Sequence, residues 1–229
     1  MAIYQLSVKP IRRSEGGNAK AAAAYRSGTK IENFDYTHRR GVADRFLLLP
    51  AAAPSWNRAE LWQEAEEAEK RKNSVVAREV LIALPHEMPF LARRKATESL
   101  ARFLVGRYGI AADAAIHTPK RGHDERNHHA HILMTTRRIS AQGMNEKTRE
   151  LDDKQTGPLE IEAIREEWAR ILKGFGFDLE HRRQSKAADN HQQIEAFPHG
   201  EPLRPFAPLS QAARSAPRRG LALTALGAS

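Results

Sequence analysis

Three histidines fall within four positions of the stretch RNHHAHILMT, residues 126–135, and the apolar run behind them makes the segment read as a strand. A strand sends successive side chains to opposite faces. His129, His131, Leu133 and Thr135 therefore share one face, while His128, Ala130, Ile132 and Met134 share the other. His129 and His131 can chelate one ion together, and His128 points away from it. His117 ends the preceding strand-like run AAIH and is positioned to meet that pair across an antiparallel ladder. Three imidazoles from two neighbouring strands make an open, facial metal site, with positions left for water or a substrate oxygen. The plainer alternative is a set of surface histidines, since H-x-H recurs widely.

A carboxylate forms the second anomaly. In VVAREVLIALP, Val75, Ala77, Glu79, Leu81 and Ala83 share one face, and Glu79 interrupts an otherwise apolar row. A buried carboxylate is unfavourable unless paired, hydrogen-bonded or close to a metal. Glu79 is thus either a structural partner of an arginine, a solvent-facing residue of an edge strand, or part of the histidine site. The third candidate is Tyr25, near the end of the small-residue segment AAAAYRSG. A helical tyrosine is usually a packing residue. Beside a three-histidine site, with no Ser-His-Asp or Cys-His signature in the chain, it becomes a candidate nucleophile for phosphodiester transfer.

Charge points the same way. The chain of 229 residues carries 37 Lys+Arg against 28 Asp+Glu, for a net charge of +9. Such a balance favours polyanionic partners, nucleic acid first. Lys9, Arg12, Arg13, Lys20, Arg26 and Lys30 stand against Glu15 in the first thirty residues, a local net charge of +5. Lys147 and Arg149 add two cations in a later polar stretch. There is no cysteine, which excludes disulfides and thiolate metal sites. No apolar run is long enough to span a membrane, and MAIYQLSVKP lacks a signal-peptide pattern, so a cytoplasmic protein with no membrane insertion is expected.

The elements that must position these residues follow from periodicity and punctuation. IYQLSVKP predicts a first strand stopped near Pro10, and NAKAAAAYRSG a helix capped by Asn18 and ended by Gly28. DRFLLLP predicts a buried strand, RAELWQEAEEAEKRK a helix, and SVVAREVLIALP a strand closed by Pro85. Residues 90–107 place Ala96, Leu100, Phe103 and Leu104 at helical spacing, and two strands follow at ADAAIHT and HHAHILMTTR. SAQGMNEKTRELDDKQTG reads as a long polar loop, and the helix after it carries Ile161, Ile164, Trp168, Ile171 and Phe175. The mixture predicts an α+β fold: a central, mainly antiparallel sheet with helices packed on one face. Residues 1–180 form the expected domain, and 181–229, which include FPHGEPLRPFAP, a loosely held basic, proline-rich tail.

The order of these motifs resembles the MobA/MobL (MobQ-class) plasmid mobilisation relaxases, within the HUH endonucleases. The resemblance rests on the opening MAIYQLSVKPI, then AAAAYRSG, REVLIALP, AAIH, NHHAH and KTRELDD, over about three quarters of the chain. The family usually has proline between the Asn and the first His of its motif; here that position is His128, which alternation keeps off the metal face.

The resemblance implies a ferredoxin-like, palm-shaped sheet and a DNA relaxase that nicks one strand at a plasmid origin of transfer for conjugative mobilisation. Tyr25 then matches the nucleophile, giving a 5′-phosphotyrosyl intermediate and a free 3′-hydroxyl whose attack rejoins the strand. His117, His129 and His131 match the ligands of one divalent ion, Mg²⁺ or Mn²⁺. Glu79 matches the acidic residue near the nucleophile, either as the base or as an orienter of a ligand histidine. Lys9, Arg12, Arg13, Lys20, Arg26, Lys147 and Arg149 are the expected DNA contacts. Single-stranded DNA, accessory mobilisation proteins and a coupling protein are the implied partners, in the bacterial cytoplasm. Two other readings stand beside it: a rolling-circle replication initiator, whose histidine motif normally precedes its tyrosine, and a non-catalytic nucleic-acid-binding module with a structural metal, for which His123 or Asp124 would supply a fourth ligand.

Overall fold

Five strands form one antiparallel sheet in the order β1-β5-β7-β6-β4, with β1 spanning Leu6–Arg12, β4 Val42–Leu48, β5 Val75–Leu84, β6 Ala112–His117 and β7 His128–Met134. Two short hairpins stand outside it, β2 (Lys30–Ile31) with β3 (Phe34–Asp35) and β8 (Arg137–Ser140) with β9 (Gly143–Lys147). Among the described residues four α-helices accompany them: α1 (Ala19–Ser27), α2 (Arg58–Glu67), α3 (Phe90–Tyr108) and α4 (Thr156–Gly174). The computed structural model describes residues 5–119, 122 and 124–177. The expected tail at 181–229 lies outside the described residues.

Alternation divides the sheet into two unlike faces. Val80, Ile82 and Leu84 of β5, Ala112, Ala114 and Ile116 of β6, and Ala130, Ile132 and Met134 of β7 pack with Leu100 and Leu104 of α3 and with Ile164 and Trp168 of α4 in one buried cluster. That face is the expected helix-covered core. The opposite face carries Glu79, His117, His129 and His131, and α1 and α2 pack beside them through Ala23, Ala24, Leu61, Trp62, Ala77 and Leu133. Helices therefore lie on both faces, and those on the second frame the polar residues. Alanines along α1 let the helix approach the sheet closely, and Asn18 caps its start by accepting from the Ala21 N–H at 2.9 Å.

Three local expectations change. β1 runs through Pro10 instead of stopping there, because β1 is an edge strand that pairs only with β5, and a missing N–H is tolerated at an edge. The polar stretch 140–157 is not one long loop: β9 within it pairs with β8 as a hairpin, and a short helical turn at Arg149–Leu151 follows. The hairpin's two strands are held by Ile139, which is buried, and by Glu69, which takes Arg137 at 2.9 Å and Lys147 at 2.6 Å. α2 ends at Glu67, so Glu69 belongs to the turn beyond it and faces this hairpin.

α2 is fastened to the sheet by a buried ion pair. Asp113 of β6 accepts from Arg58 Nε and Nη2, both at 2.7 Å, and from Trp62 Nε1 at 2.8 Å. Asp113→Ala would leave the Arg58 guanidinium buried without its carboxylate, which is expected to lower folding stability by about 3–5 kcal/mol. Urea unfolding followed by circular dichroism checks this, and a loss below about 1 kcal/mol, the scale of an exposed pair, would contradict it.

Candidate metal centre and its surroundings

Register brings the three histidines together. His117 stands directly opposite His129 in the β6–β7 ladder, and His131, two residues further along β7, lies on the same face. One ligand atom from each of His117, His129 and His131 falls within 4.8 Å of the others. Among the described residues this is the only such group. His128 leaves by the other face, where its Nδ1 lies 2.7 Å from Arg93 Nη1 of α3, as alternation requires. Of the two suggested fourth ligands, His123 is outside the described residues and Asp124 is taken by Arg126 at 2.9 Å.

The second nitrogen of every ring is engaged. His117 Nε2–H donates to the Arg26 carbonyl at 2.8 Å, His129 Nδ1–H to the Asn127 carbonyl at 3.0 Å, and His131 Nδ1–H to Glu79 Oε1 at 2.7 Å. Carbonyls and carboxylates only accept, so these contacts set the tautomers. The remaining lone pairs are His117 Nδ1, His129 Nε2 and His131 Nε2. Burial is the largest influence on all three rings and disfavours their cationic form. It holds His117 well below the ordinary imidazole range and takes His129 down to about 4. Three neutral imidazoles, each braced from behind, fit a divalent ion on the criterion of donor chemistry.

Glu79 sits on the histidine face, two residues along β5 from Leu81, the partner of His131. It is buried, and its Oε1 accepts from Arg26 Nε as well as from His131. Burial opposes its ionisation, but the Arg26 guanidinium and the His131 ring outweigh that and hold the carboxyl well below its usual range. The arginine pairing and the site membership weighed as alternatives for Glu79 are therefore the same arrangement.

Tyr25 is half-buried near the C-terminus of α1. Its successor, Arg26, makes two site contacts, one through its carbonyl to His117 and one through its guanidinium to Glu79. Arg45 of β4 fixes the same helix end, donating from Nη1 to the Ser27 and Gly28 carbonyls at 2.6 and 3.0 Å. Gly28 has φ +65°, a left-handed conformation that ends the helix there. Arg39 lies over the Tyr25 ring, 3.7 Å from its centre. Sequence reasoning gave Arg39 and Arg45 no role, because their contacts with Tyr25 and with the end of α1 join different elements and no local pattern shows them.

The expected DNA contacts separate into two groups. Lys9 is exposed opposite Glu79 on the edge strand, and Arg12 and Arg149 are also exposed. Arg13 binds Glu66, Lys20 binds Glu32 at 2.5 Å, Arg26 binds Glu79 and Lys147 binds Glu69. Those four serve the fold through ion pairs. No helix among the described residues is long and apolar enough to cross a membrane.

Known proteins share both sequence and fold. A model of the MobA/MobL family matches residues 18–197. Mobilization protein MobL of Acidithiobacillus ferridurans is 33% identical over 240 residues, covering 91% of this chain and 62% of that protein. Probable mobilization protein MobA of Bifidobacterium longum is 34% identical over 147 residues, covering 61% of this chain and 26% of its own. The chain thus spans less than two thirds of the length of these relatives. A solved structure described as "Molecular Basis of Vancomycin Resistance Transfer in Staphylococcus aureus" is 26% identical, with a TM-score of 0.67 over 80% of this chain and 100% of that one. The MobM relaxase domain, Mn-bound and in complex with plasmid pMV158 oriT DNA, shares the fold at a TM-score of 0.51 and 14% identity, over 84% of this chain and 96% of that one.

Neutral rings make ion binding insensitive to mild acid. Imidazoles titrating near 6.5 would be about 90% protonated at pH 5.5, weakening a bound ion about tenfold for each ring. With the rings held lower, Mn²⁺ affinity by calorimetry is expected to change by less than about threefold between pH 7.5 and 5.5, and His129, which titrates at about 4, is expected to stay neutral throughout that window. A loss of tenfold or more by pH 5.5 would contradict the burial argument.

Proposed function

Since the chain belongs to the MobA/MobL family, we propose that it carries the DNA-nicking activity of a conjugative mobilisation relaxase, with Tyr25 as nucleophile and His117, His129 and His131 as ligands of one divalent ion. The observation that carries the reading is the position of Arg26. One residue beyond Tyr25, it touches His117 through its carbonyl and the Glu79–His131 pair through its guanidinium. Tyr25 and two of the ligands, His117 and His131, are therefore joined through Arg26, and the third, His129, stands opposite His117 in the β6–β7 ladder.

In this reaction the Tyr25 oxygen attacks the scissile phosphorus of single-stranded DNA at an origin of transfer. The bond from phosphorus to the 3′-oxygen breaks, the phenol loses its proton, and the 3′-oxygen gains one. The 5′-phosphate stays on the tyrosine, and attack by a 3′-hydroxyl reverses the step and rejoins the strand without an external energy source. A divalent ion, Mg²⁺ or Mn²⁺, supplies charge neutralisation at a non-bridging phosphate oxygen when bound. His117, His129 and His131 would hold it through the nitrogens left by their backing hydrogen bonds. Glu79 positions His131 instead of taking the phenol proton, because its carboxyl is held well below the usual range, which makes it a weak base, and its Oε1 is already shared by Arg26 and His131. Lys9, Arg12 and Arg149 are the cations best suited to meet the DNA backbone, being exposed.

The other tyrosines fit the role less well. Tyr108 is buried in the core under α4 and donates to Glu160 at 2.8 Å, while Tyr36 is buried edge-on to Tyr25. Tyr4 lies outside the described residues.

Tyr25→Phe keeps the ring and removes the attacking oxygen. A labelled origin-strand oligonucleotide should become linked to the wild type and survive denaturing electrophoresis, whereas the variant should give no adduct and keep its Mn²⁺ affinity. An adduct on the variant would move the nucleophile elsewhere, and cleavage by wild type without any adduct would mean hydrolysis. Glu79→Gln tests the positioning role separately: Mn²⁺ binding is expected to weaken by about 10–100-fold, as for other groups that back a ligand histidine. Unchanged affinity would reduce Glu79 to a partner of Arg26 alone.

A further inference from the structure

The loop between β3 and β4 carries a guanidinium for which the reaction above gives no role. Arg39 Cζ lies 3.7 Å from the centre of the Tyr25 ring, well within the range where a cation and an aromatic face attract. Tyr36 meets the same ring edge-on, with centroids 5.2 Å apart and planes at 88°. The Arg39 N–H donates to the Tyr36 carbonyl at 3.0 Å, so a single turn holds Tyr25 by both face and edge. The other end of the loop is fixed beside the ligands. Thr118, next to His117, donates to the Gly41 carbonyl from its N–H at 2.8 Å and from its hydroxyl at 3.3 Å.

This loop therefore touches the tyrosine on one side and the end of the ligand strand on the other. Its guanidinium is close enough to all three ligand rings for its charge to disfavour a proton on each. A phosphodiester is an anion and concentrates further negative charge as an oxygen attacks it. A planar guanidinium with five N–H donors is well matched to that group, and a cation fixed before the reaction needs no rearrangement during it.

We propose that Arg39 is a catalytic residue that donates to the scissile phosphate while its contact with Tyr25 holds the ring for attack; the proposal rests on the nicking reaction above. Arg39 then does two things that usually fall to separate side chains, fixing the nucleophile and reading the charge of its target. The competing role is packing alone, in which Arg39 covers the ring and never meets DNA.

Origin-strand oligonucleotides carrying one neutral methylphosphonate at each linkage in turn distinguish the two. Binding is measured in EDTA, so that no metal contributes, for wild type and for Arg39→Gln, which keeps a planar polar group on a shorter stem. Neutralising one linkage is expected to weaken wild-type binding about tenfold, the scale of one charge-assisted hydrogen bond, and to leave Arg39→Gln unaffected at that same linkage. That linkage should be the one nicked. At saturating DNA, Arg39→Gln should also nick about a hundredfold more slowly while its Mn²⁺ affinity stays within about twofold. Arg39→Lys, with charge but no fork, should recover the binding profile more fully than the rate. Identical methylphosphonate profiles for wild type and Arg39→Gln, or equal nicking rates, would overturn the proposal. The adduct assay on Tyr25→Phe tests the nucleophile and this profile tests the phosphate contact, so the two assignments fail separately.

Discussion

A carboxylate taken out of water inside a sheet destabilises a fold by several kcal/mol unless other groups replace its hydration. Glu79 meets that requirement with Arg26 from α1 and His131 from β7. The two partners come from different elements, so satisfying one charge also joins the helix bearing Tyr25 to the strand bearing two of the histidines. His117 adds a second link between the same helix and the sheet through the Arg26 carbonyl. Both Glu79 contacts and the His117 contact join separate elements, so each of them constrains α1 or β7 against the rest of the sheet.

The sheet supports this division of labour by giving each face a different environment. One face is apolar and covered by α3 and α4. The other sets Asp113, Glu79 and the histidines beside a smaller apolar cluster with α1 and α2, and every one of these polar residues acquires a polar partner. Alanine at residues 111, 112, 114 and 115 leaves room on either side of β6, and alanines along α1 allow its last carbonyls to come within hydrogen-bond reach of His117. Arg58 and Arg45 fasten α2 and the end of α1 to the same sheet. Bulkier residues along these surfaces would move α1 outward and separate Tyr25 from the ligands.

What could be read from the sequence was what periodicity controls. Period-two alternation put His129 and His131 together and sent His128 away, as found; it isolated Glu79 as a carboxylate in an apolar row but left open whether it shares the histidine face, which it does. Partners that arise from tertiary contact could not be read. An arginine was among the possibilities for Glu79, but nothing local identifies Arg26, 53 positions away. Counting cations in the N-terminal stretch found the basic character and not its use, since Arg13, Lys20 and Arg26 are bound to carboxylates of later elements. The β8–β9 hairpin was hidden for a related reason: its strands are polar, and two cations on Glu69 do much of the work that apolar burial does elsewhere.

The contacts that assemble the site span long stretches of chain: 53 residues from Arg26 to Glu79, 52 from Glu79 to His131 and 91 from Arg26 to His117. During synthesis the tyrosine leaves the ribosome first, then the carboxylate, and the ligand strands last. In the reaction proposed for Tyr25, the nascent polypeptide would have no means of attacking DNA until β7 has been made and has closed against β5 and β6. On that reading, cutting becomes possible only once β7, the last-made strand of the five-stranded sheet, has docked, so the order of the residues along the chain sets when the protein is armed.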